Sequence, residues 1–159
     1  MSHGSRVEWK LSAYGALTTH ELYRMLQLRA QVFVVEQRCV FQDLDGADMQ
    51  AIHLQGTSDG VLVAYARCFG PGVWYAEASI GRVVARPGSR GLGLGHALVQ
   101  RAMTAVHDTW GAQAIRIGAQ AQLKRFYQHH GFDDVNKPYV EDGIDHLEML
   151  RQPPRKQLT

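Results

Sequence analysis

Little in this sequence is extreme, and each shortage closes off a class. Only two of its 159 residues are cysteine, Cys39 and Cys68, too few and too far apart for a disulfide framework or a Cys-rich metal site. No apolar run approaches the ~20 residues of a membrane span. The start, Met1-Ser2-His3-Gly4-Ser5, lacks the apolar core of a secretory signal. The expectation is a cytoplasmic protein with reduced thiols. Charge of one sign is not in excess either. With 17 Lys+Arg against 15 Asp+Glu, the formal sum of +2 argues against a general nucleic-acid or membrane-surface binder. Repeats, low-complexity blocks and internal linkers are also missing. What is there reads as one globular domain over residues 7–152, between loose ends at 1–6 and 153–159, with length enough to bury roughly two-thirds of its unfolded surface.

Hydrophobic spacing supplies the elements. Residues 7–11 alternate as a short strand. Thr18 and Glu21 stand at capping-box spacing, and the helix they open aligns Leu22, Met25, Leu26, Val32 and Phe33. Arg29 lies on the same stripe and needs an acidic partner. Residues 37–48 are irregular and acidic. Strands follow at 52–55 and 61–69 around Ser58-Asp59-Gly60, and another is clearest at 79–85. Then the style changes. A helix with Leu94, Leu98, Ala102, Ala105 and Val106 on one face runs to Trp110-Gly111, a strand covers 114–119, a helix covers 122–130, and a last strand covers 146–150. A meander followed by strand–helix–strand–helix predicts an α/β (α+β) mixed sheet with helices on both faces. Cys68, within an apolar strand, is expected to be a packed thiol.

Between the 79–85 strand and the next helix lies Arg90-Gly91-Leu92-Gly93-Leu94-Gly95. A glycine loop at a helix start bares backbone N–H groups where the helix dipole favours anions. Arg90 adds a fork suited to phosphate oxygens. The dinucleotide fingerprint fails here, because its third glycine would be His96 or Leu98 and no acid stands about twenty residues on. The P-loop fails for want of a closing Lys-Ser/Thr pair. A bare capping role for three alternating glycines beside an arginine is the weaker alternative. Metal readings are weak: His20-Glu21 has no second histidine four residues from the first, and the adjacent His129 and His130 point apart on a helix. No metal is expected.

Arg90-x-x-Gly93-x-Gly95 after Gly81-Arg82-Val83-Val84 resembles the acetyl-CoA signature of the GNAT N-acetyltransferase superfamily. The run Phe126-Tyr127-Gln128-His129-His130-Gly131-Phe132 resembles its second signature. Leu28-Arg29-Ala30-Gln31-Val32-Phe33-Val34-Val35-Glu36-Gln37, with Asp43-Leu44-Asp45-Gly46, is similar to the ElaA branch. The motifs occur together and in the family's order. The resemblance implies a splayed mixed sheet in which acetyl-CoA enters a V between 80–85 and Ile115–Gln120. It implies that Val83 and Val84 pair with the pantetheine, that Arg90, Gly91, Leu92, Gly93, Leu94, Gly95 and His96 hold the pyrophosphate, and that Phe126 and Tyr127 lie near the thioester. Members often dimerise, so a homodimer is an implied assembly.

The implied reaction is direct attack of an amine on the acetyl carbonyl. An alkyl ammonium costs roughly 4–5 kcal/mol to deprotonate at pH 7, so a base or an acidic pocket must help. Tyr127 suits protonation of the departing thiolate; the alternative is a ring that packs in the core. For the base, Glu36 leads, His53 is second, and Glu77 or water remain. Asp43, Asp45 and Asp48 are either a structural loop that partners Arg29 or a pocket for the cationic amine. Gln120, at a strand end, either orients a ligand or satisfies backbone groups. Charge placement sharpens this picture. Residues 82–132 carry seven Lys/Arg and one acid, whereas 36–48 carry four acids and one Arg, as suits a polyphosphate cosubstrate and an amine. The competing functions are an acyl-homoserine-lactone-synthase-like acyltransferase, from the front-half pattern, and a non-catalytic acyl-CoA-binding regulator that would not need Tyr127. A nucleic-acid module would need a continuous basic surface.

Overall fold

The computed structural model describes residues 6–91 and 93–153; Leu92 and nearly all of the two ends lie outside the described residues. Seven strands form one sheet in the order β1-β2-β3-β4-β5-β7-β6: β1 (Glu8–Ala13), β2 (Ile52–Ser58), β3 (Val61–Phe69), β4 (Ala78–Ala85), β5 (Ile115–Gln120), β6 (Asp133–Glu141) and β7 (Ile144–Arg151). All neighbours are antiparallel except β4 and β5. The mixed sheet with helices on both faces is as the sequence predicts, with β6 added.

Helix α1 (Thr19–Arg29) begins at the expected capping box: the Glu21 N–H donates to Thr18 Oγ1 at 3.1 Å and the Thr18 N–H to Glu21 Oε1 at 3.0 Å. Beyond Arg29 the chain widens into a π-helical stretch, Ala30–Glu36, which turns Val32 onto the same face as Met25 and Leu28. These residues pack on Leu62, Tyr65 and Val84. On the other face lie α2 (Leu94–Trp110) and α3 (Lys124–His129). Leu98, Ala102 and Val106 of α2, with Tyr127 and Phe132, cover Ala66, Cys68, Ile80, Ile115 and Ile117. Both cysteines are free and buried.

The sheet does not stay closed. β4 and β5 pair only at Ala78↔Ile115 and Ser79↔Arg116, and beyond that rung no ladder joins them. Against β3 the register slips between Tyr65 and Arg67, so β4 carries an extra residue. Arg82 takes a positive φ of 49° at this point. A bulge of this kind bends its strand and sharpens its twist. Here it carries β4 away from β5 and opens the sheet at its centre.

Candidate active site

The opening is the mouth of a cleft of about 1290 Å³ that runs through the sheet and is lined from β4, β5, β6, β7, the glycine loop, α3 and the π-helical stretch. One end is the loop. Gly93 is the N-cap of α2 with φ +73°, a left-handed conformation that side-chain-bearing residues adopt at a cost of ~1–2 kcal/mol. No side chain caps this helix, and its first intrahelical bond is Ala97 N–H to the Gly93 carbonyl at 3.0 Å. The N–H groups of the first turn, at Leu94, Gly95 and His96, therefore have no intrahelical acceptor. Gly95 lies against Phe126, whose ring edge is 3.5 Å from where a Cβ would stand. His96 stacks over Phe126 at 4.7 Å and its Nδ1 lies 2.9 Å from His130 Nε2. Burial, then the neighbouring His96, His129 and Arg151, pushes the His130 imidazole below its usual range.

Across the mouth, Arg90 grips Glu36. Its two terminal nitrogens donate to the two carboxylate oxygens at 2.9 and 2.8 Å, and its Nε donates to the Ala85 carbonyl at 3.0 Å. The hydrogen bonds and charge of Arg90 hold the Glu36 carboxyl below the usual carboxylate range. Glu36, the leading base on sequence, is thus an arginine partner beside the glycine loop. Glu77 is likewise taken, by Arg116 at 2.9 and 3.0 Å.

Tyr127 is buried, edge-on to Phe126 and Phe132, and still lines the cleft. Its burial pushes the phenol well above its ordinary range, which keeps the hydroxyl a donor. Val83 and Val84 both line the cleft, Val83 half-buried and Val84 buried against α1 and the π-helical stretch. Gln120 lies on the cleft wall, donating to Gln37 Oε1 at 3.3 Å and accepting from Gln122 Nε2 at 3.1 Å.

The acidic loop and His53 stand differently from expectation. Arg29, fully buried, donates to Asp43 at 2.9 Å and to Asp48 at 2.8 Å. Arg67, equally buried, binds Asp48 at 2.9 Å and Asp45 through both terminal nitrogens. Arg82, at the bulge, reaches Asp43 at 2.8 Å and Asp45 at 3.4 Å. Three carboxylates thus face three guanidiniums. Burial opposes ionisation of Asp45 and Asp48, but the arginine hydrogen bonds outweigh it and hold both carboxyls below their usual range. Of the two alternatives for Asp43 and Asp45, the arginine contacts are those of a structural loop tied to α1, β3 and β4, while Asp45 also lines the cleft. His53 is fully buried and does not line the cleft. Its Nε2 faces the Asp48 carbonyl at 2.8 Å and its Nδ1 the Tyr65 hydroxyl at 2.6 Å. A carbonyl only accepts, so Nε2 carries the proton and Nδ1 accepts from Tyr65. Both nitrogens being used, His53 is a strut beneath the loop, not a substrate ligand.

The wall of the cleft formed by β5, β6 and β7 was not foreseen. Tyr75, Tyr139, His146 and Glu148 line the cleft there. The Tyr75 and Tyr139 hydroxyls converge on Gly118 of β5, where a Cβ would overlap the Tyr139 hydroxyl and come within 3.2 Å of that of Tyr75. A side chain at that position would oblige the Tyr139 hydroxyl to move. The strand that carries Tyr139 contains Pro138 and alternates poorly, so neither period nor composition marks it.

Comparison with known proteins agrees with this geometry. Residues 21–152 match the family model described as the acetyltransferase (GNAT) domain. The chain belongs to the GNAT family. It is 39% identical over 150 residues to the UPF0039 protein sll0451 of Synechocystis, covering 93% of this chain and 97% of that one. It is 38% identical over 148 residues to protein ElaA of Escherichia coli, covering 92% and 97%; the ElaA crystal structure superposes with a TM-score of 0.86. An acyl-CoA N-acyltransferase from Pseudomonas aeruginosa gives a TM-score of 0.88 at 41% identity, over 92% of this chain and 99% of that one. Two more distant structures share the fold alone: the AHL synthase LasI, at 15% identity and a TM-score of 0.73, and the putative acetyltransferase yncA of Salmonella typhimurium, solved with its cofactor acetyl-CoA, at 16% and 0.70. A GNAT fold built for acyl transfer explains why the sheet parts where it does.

Proposed function

We propose that this GNAT protein transfers an acetyl group from acetyl-CoA to a primary amine by direct attack of the amine on the thioester. The observation that carries this is the parting of β4 from β5 beside an uncapped helix start. An edge of β4 without a ladder partner offers amide-binding groups to a pantetheine, and the α2 N-terminus offers N–H groups and the positive end of a dipole to a pyrophosphate. Relatives of the same fold include one described with acetyl-CoA and a more similar one described as an acyl-CoA N-acyltransferase, which supports this cosubstrate.

In this reading Gly91, Gly93, Leu94, Gly95 and His96 seat the pyrophosphate through their N–H groups, with Leu92 between them. Arg90 exchanges one anionic partner, Glu36, for another. Val83 and Val84 flank the pantetheine by their backbone, and Phe126 covers its path. The acyl thioester supplies the electrophilic carbonyl. Tyr127 donates a hydrogen bond to the sulfur as the C–S bond breaks, and its raised pKa keeps the hydroxyl protonated for that task. Gln120 lines the acceptor's approach. Two free thiols suit a reducing compartment, and we place the reaction in the cytoplasm.

The test is release of free thiol from acetyl-CoA over a panel of primary amines, with the acylated product identified by mass. Amine-dependent release with a mass gain of one acetyl group is the expected result. Tight acetyl-CoA binding without turnover on any amine would instead make the protein a binder of acyl-CoA.

A further inference from the structure

We propose that His146, backed by Glu141, is the group that takes the proton from the acceptor amine, on the β7 wall of the cleft opposite the end of β5. The inference rests on the acetyl-transfer reading above and adds its proton acceptor.

His146 sits on β7 opposite Gln120 of β5 and Tyr139 of β6. β5 ends at Gln120, and the chain runs from there through one 3-10 turn into α3, which carries Tyr127. The two side chains line the same cleft. The imidazole is held from three sides. Tyr139 stacks on it at 5.3 Å with planes 24° apart. Its Nδ1 lies 2.7 Å from the Ile144 carbonyl, and its Nε2 lies 3.8 Å from Glu141 Oε2. The Ile144 carbonyl can only accept, so Nδ1 carries a hydrogen. In the neutral ring Nε2 then holds the lone pair. A base fixed in one tautomer by a carbonyl, with a carboxylate beside the other nitrogen, is prepared to receive a proton there. Glu141 steadies the imidazolium that forms.

The carboxylates first considered for the base, Glu36 and Glu77, and for the amine pocket, Asp43, Asp45 and Asp48, have arginine partners. Glu36 is bound by Arg90, Glu77 by Arg116, and Asp43, Asp45 and Asp48 by three arginines. The charged and titratable groups around His146 are Tyr139 and Glu141 from β6, Asp142 from the β6–β7 turn, Glu148 from β7, itself bonded to Arg116 at 3.2 Å, and Tyr75. Glu141 and Asp142, which also line the cleft, suit a cationic amine on arrival.

The protons balance as follows. The ammonium gives one proton to His146 Nε2, which passes it to water. The neutral nitrogen attacks the acetyl carbonyl, a C–N bond forms, and the C–S bond breaks. The nitrogen's second proton reaches the sulfur, hydrogen-bonded by Tyr127, and the products are the amide, CoA thiol and one released proton.

The experiment follows kcat/KM against pH with acetyl-CoA and 1,4-diaminobutane, or whichever amine of the panel is turned over best, for the wild type, His146→Gln and Glu141→Gln. An imidazole base works only when unprotonated, so the wild type has an acid limb. His146→Gln should lower kcat/KM ~100-fold at pH 7, abolish that limb, and recover with rising pH as the free amine becomes abundant. Acetyl-CoA affinity and melting temperature should stay near wild type. Glu141→Gln should lose less, ~10-fold, and keep the limb. A His146→Gln enzyme within twofold of wild type, or one that keeps the limb, overturns the assignment while acetyl transfer stands. So does a loss of activity matched by loss of acetyl-CoA binding or of folding in both variants. If the wild type acylates no amine, the transfer reading fails and this one with it.

Discussion

Tyr127 and Glu36 part company once their surroundings are compared. Tyr127 is buried among rings and lines the cleft, so Tyr127→Phe removes one oxygen and little packing. We expect kcat to fall ~100-fold with acetyl-CoA affinity unchanged, read by steady-state kinetics and calorimetry; equal turnover would leave Tyr127 a packing residue. Glu36 is held by both terminal nitrogens of Arg90. Glu36→Gln frees that fork and removes a negative charge from the pyrophosphate end. Acetyl-CoA should bind a few-fold more tightly at low salt, with kcat within about twofold of wild type, since an exposed ion pair is worth little. A loss of kcat near 100-fold would return Glu36 to the role of base. Asp48 is the contrasting case, because it joins two buried guanidiniums, Arg29 and Arg67. Asp48→Ala leaves them short of an anion, which costs about 3–5 kcal/mol, seen as a lowered denaturation midpoint.

Among the elements, α2 and the loop before it would hold the cosubstrate in the proposed function, and the test there is Gly93→Asp. A Cβ at Gly93 meets nothing within 4 Å, so the folded chain tolerates it apart from the strain of φ +73°. A carboxylate at the helix start would face the pyrophosphate at close range, where like charges repel by several kcal/mol. Acetyl-CoA binding by calorimetry should weaken at least ~100-fold while the melting temperature falls only slightly. The helix and its glycine loop were legible in the sequence because their signals are local, glycines with an adjacent arginine and a helix period, as was the start of α1 from its capping box at Thr18. The V was legible as a resemblance, but its cause, the bulge at Arg82, has no local mark. β6 was not legible, since Pro138 and exposed polar residues mask its period, and with it went Tyr139 and the partner that holds His146. The Asp43–Asp45–Asp48 loop shows the same limit in charge. Its arginine partners come from α1, β3 and β4, and only folding brings them to it. Arg29 alone signalled the need.

At the scale of the whole molecule the placement of charge sets the response to acid. Asp45 and Asp48 have carboxyls held below their unfolded value by the arginines. Their contribution is present above about pH 4 and is lost as pH falls through their lowered folded values. His53 has the same sign for another reason. Burial lowers its pKa from 6.5, so the fold keeps it neutral while the unfolded chain takes up a proton below that value. Its contribution is complete above about pH 6.5 and shrinks as pH falls, by at most about 1.4 kcal/mol per pH unit for one proton. His130, also lowered, adds in the same direction. Thermal melts should therefore be level between pH 7 and 8, decline from near pH 6.5, and steepen below pH 4. His53→Gln, which cannot take up a proton, should lower the plateau by the loss of its two buried hydrogen bonds and flatten the decline between pH 6.5 and 5. A wild-type melting temperature that holds steady down to pH 5 would mean that neither imidazole is kept neutral by the fold. The strut assigned to His53 beneath the acidic loop would then be wrong.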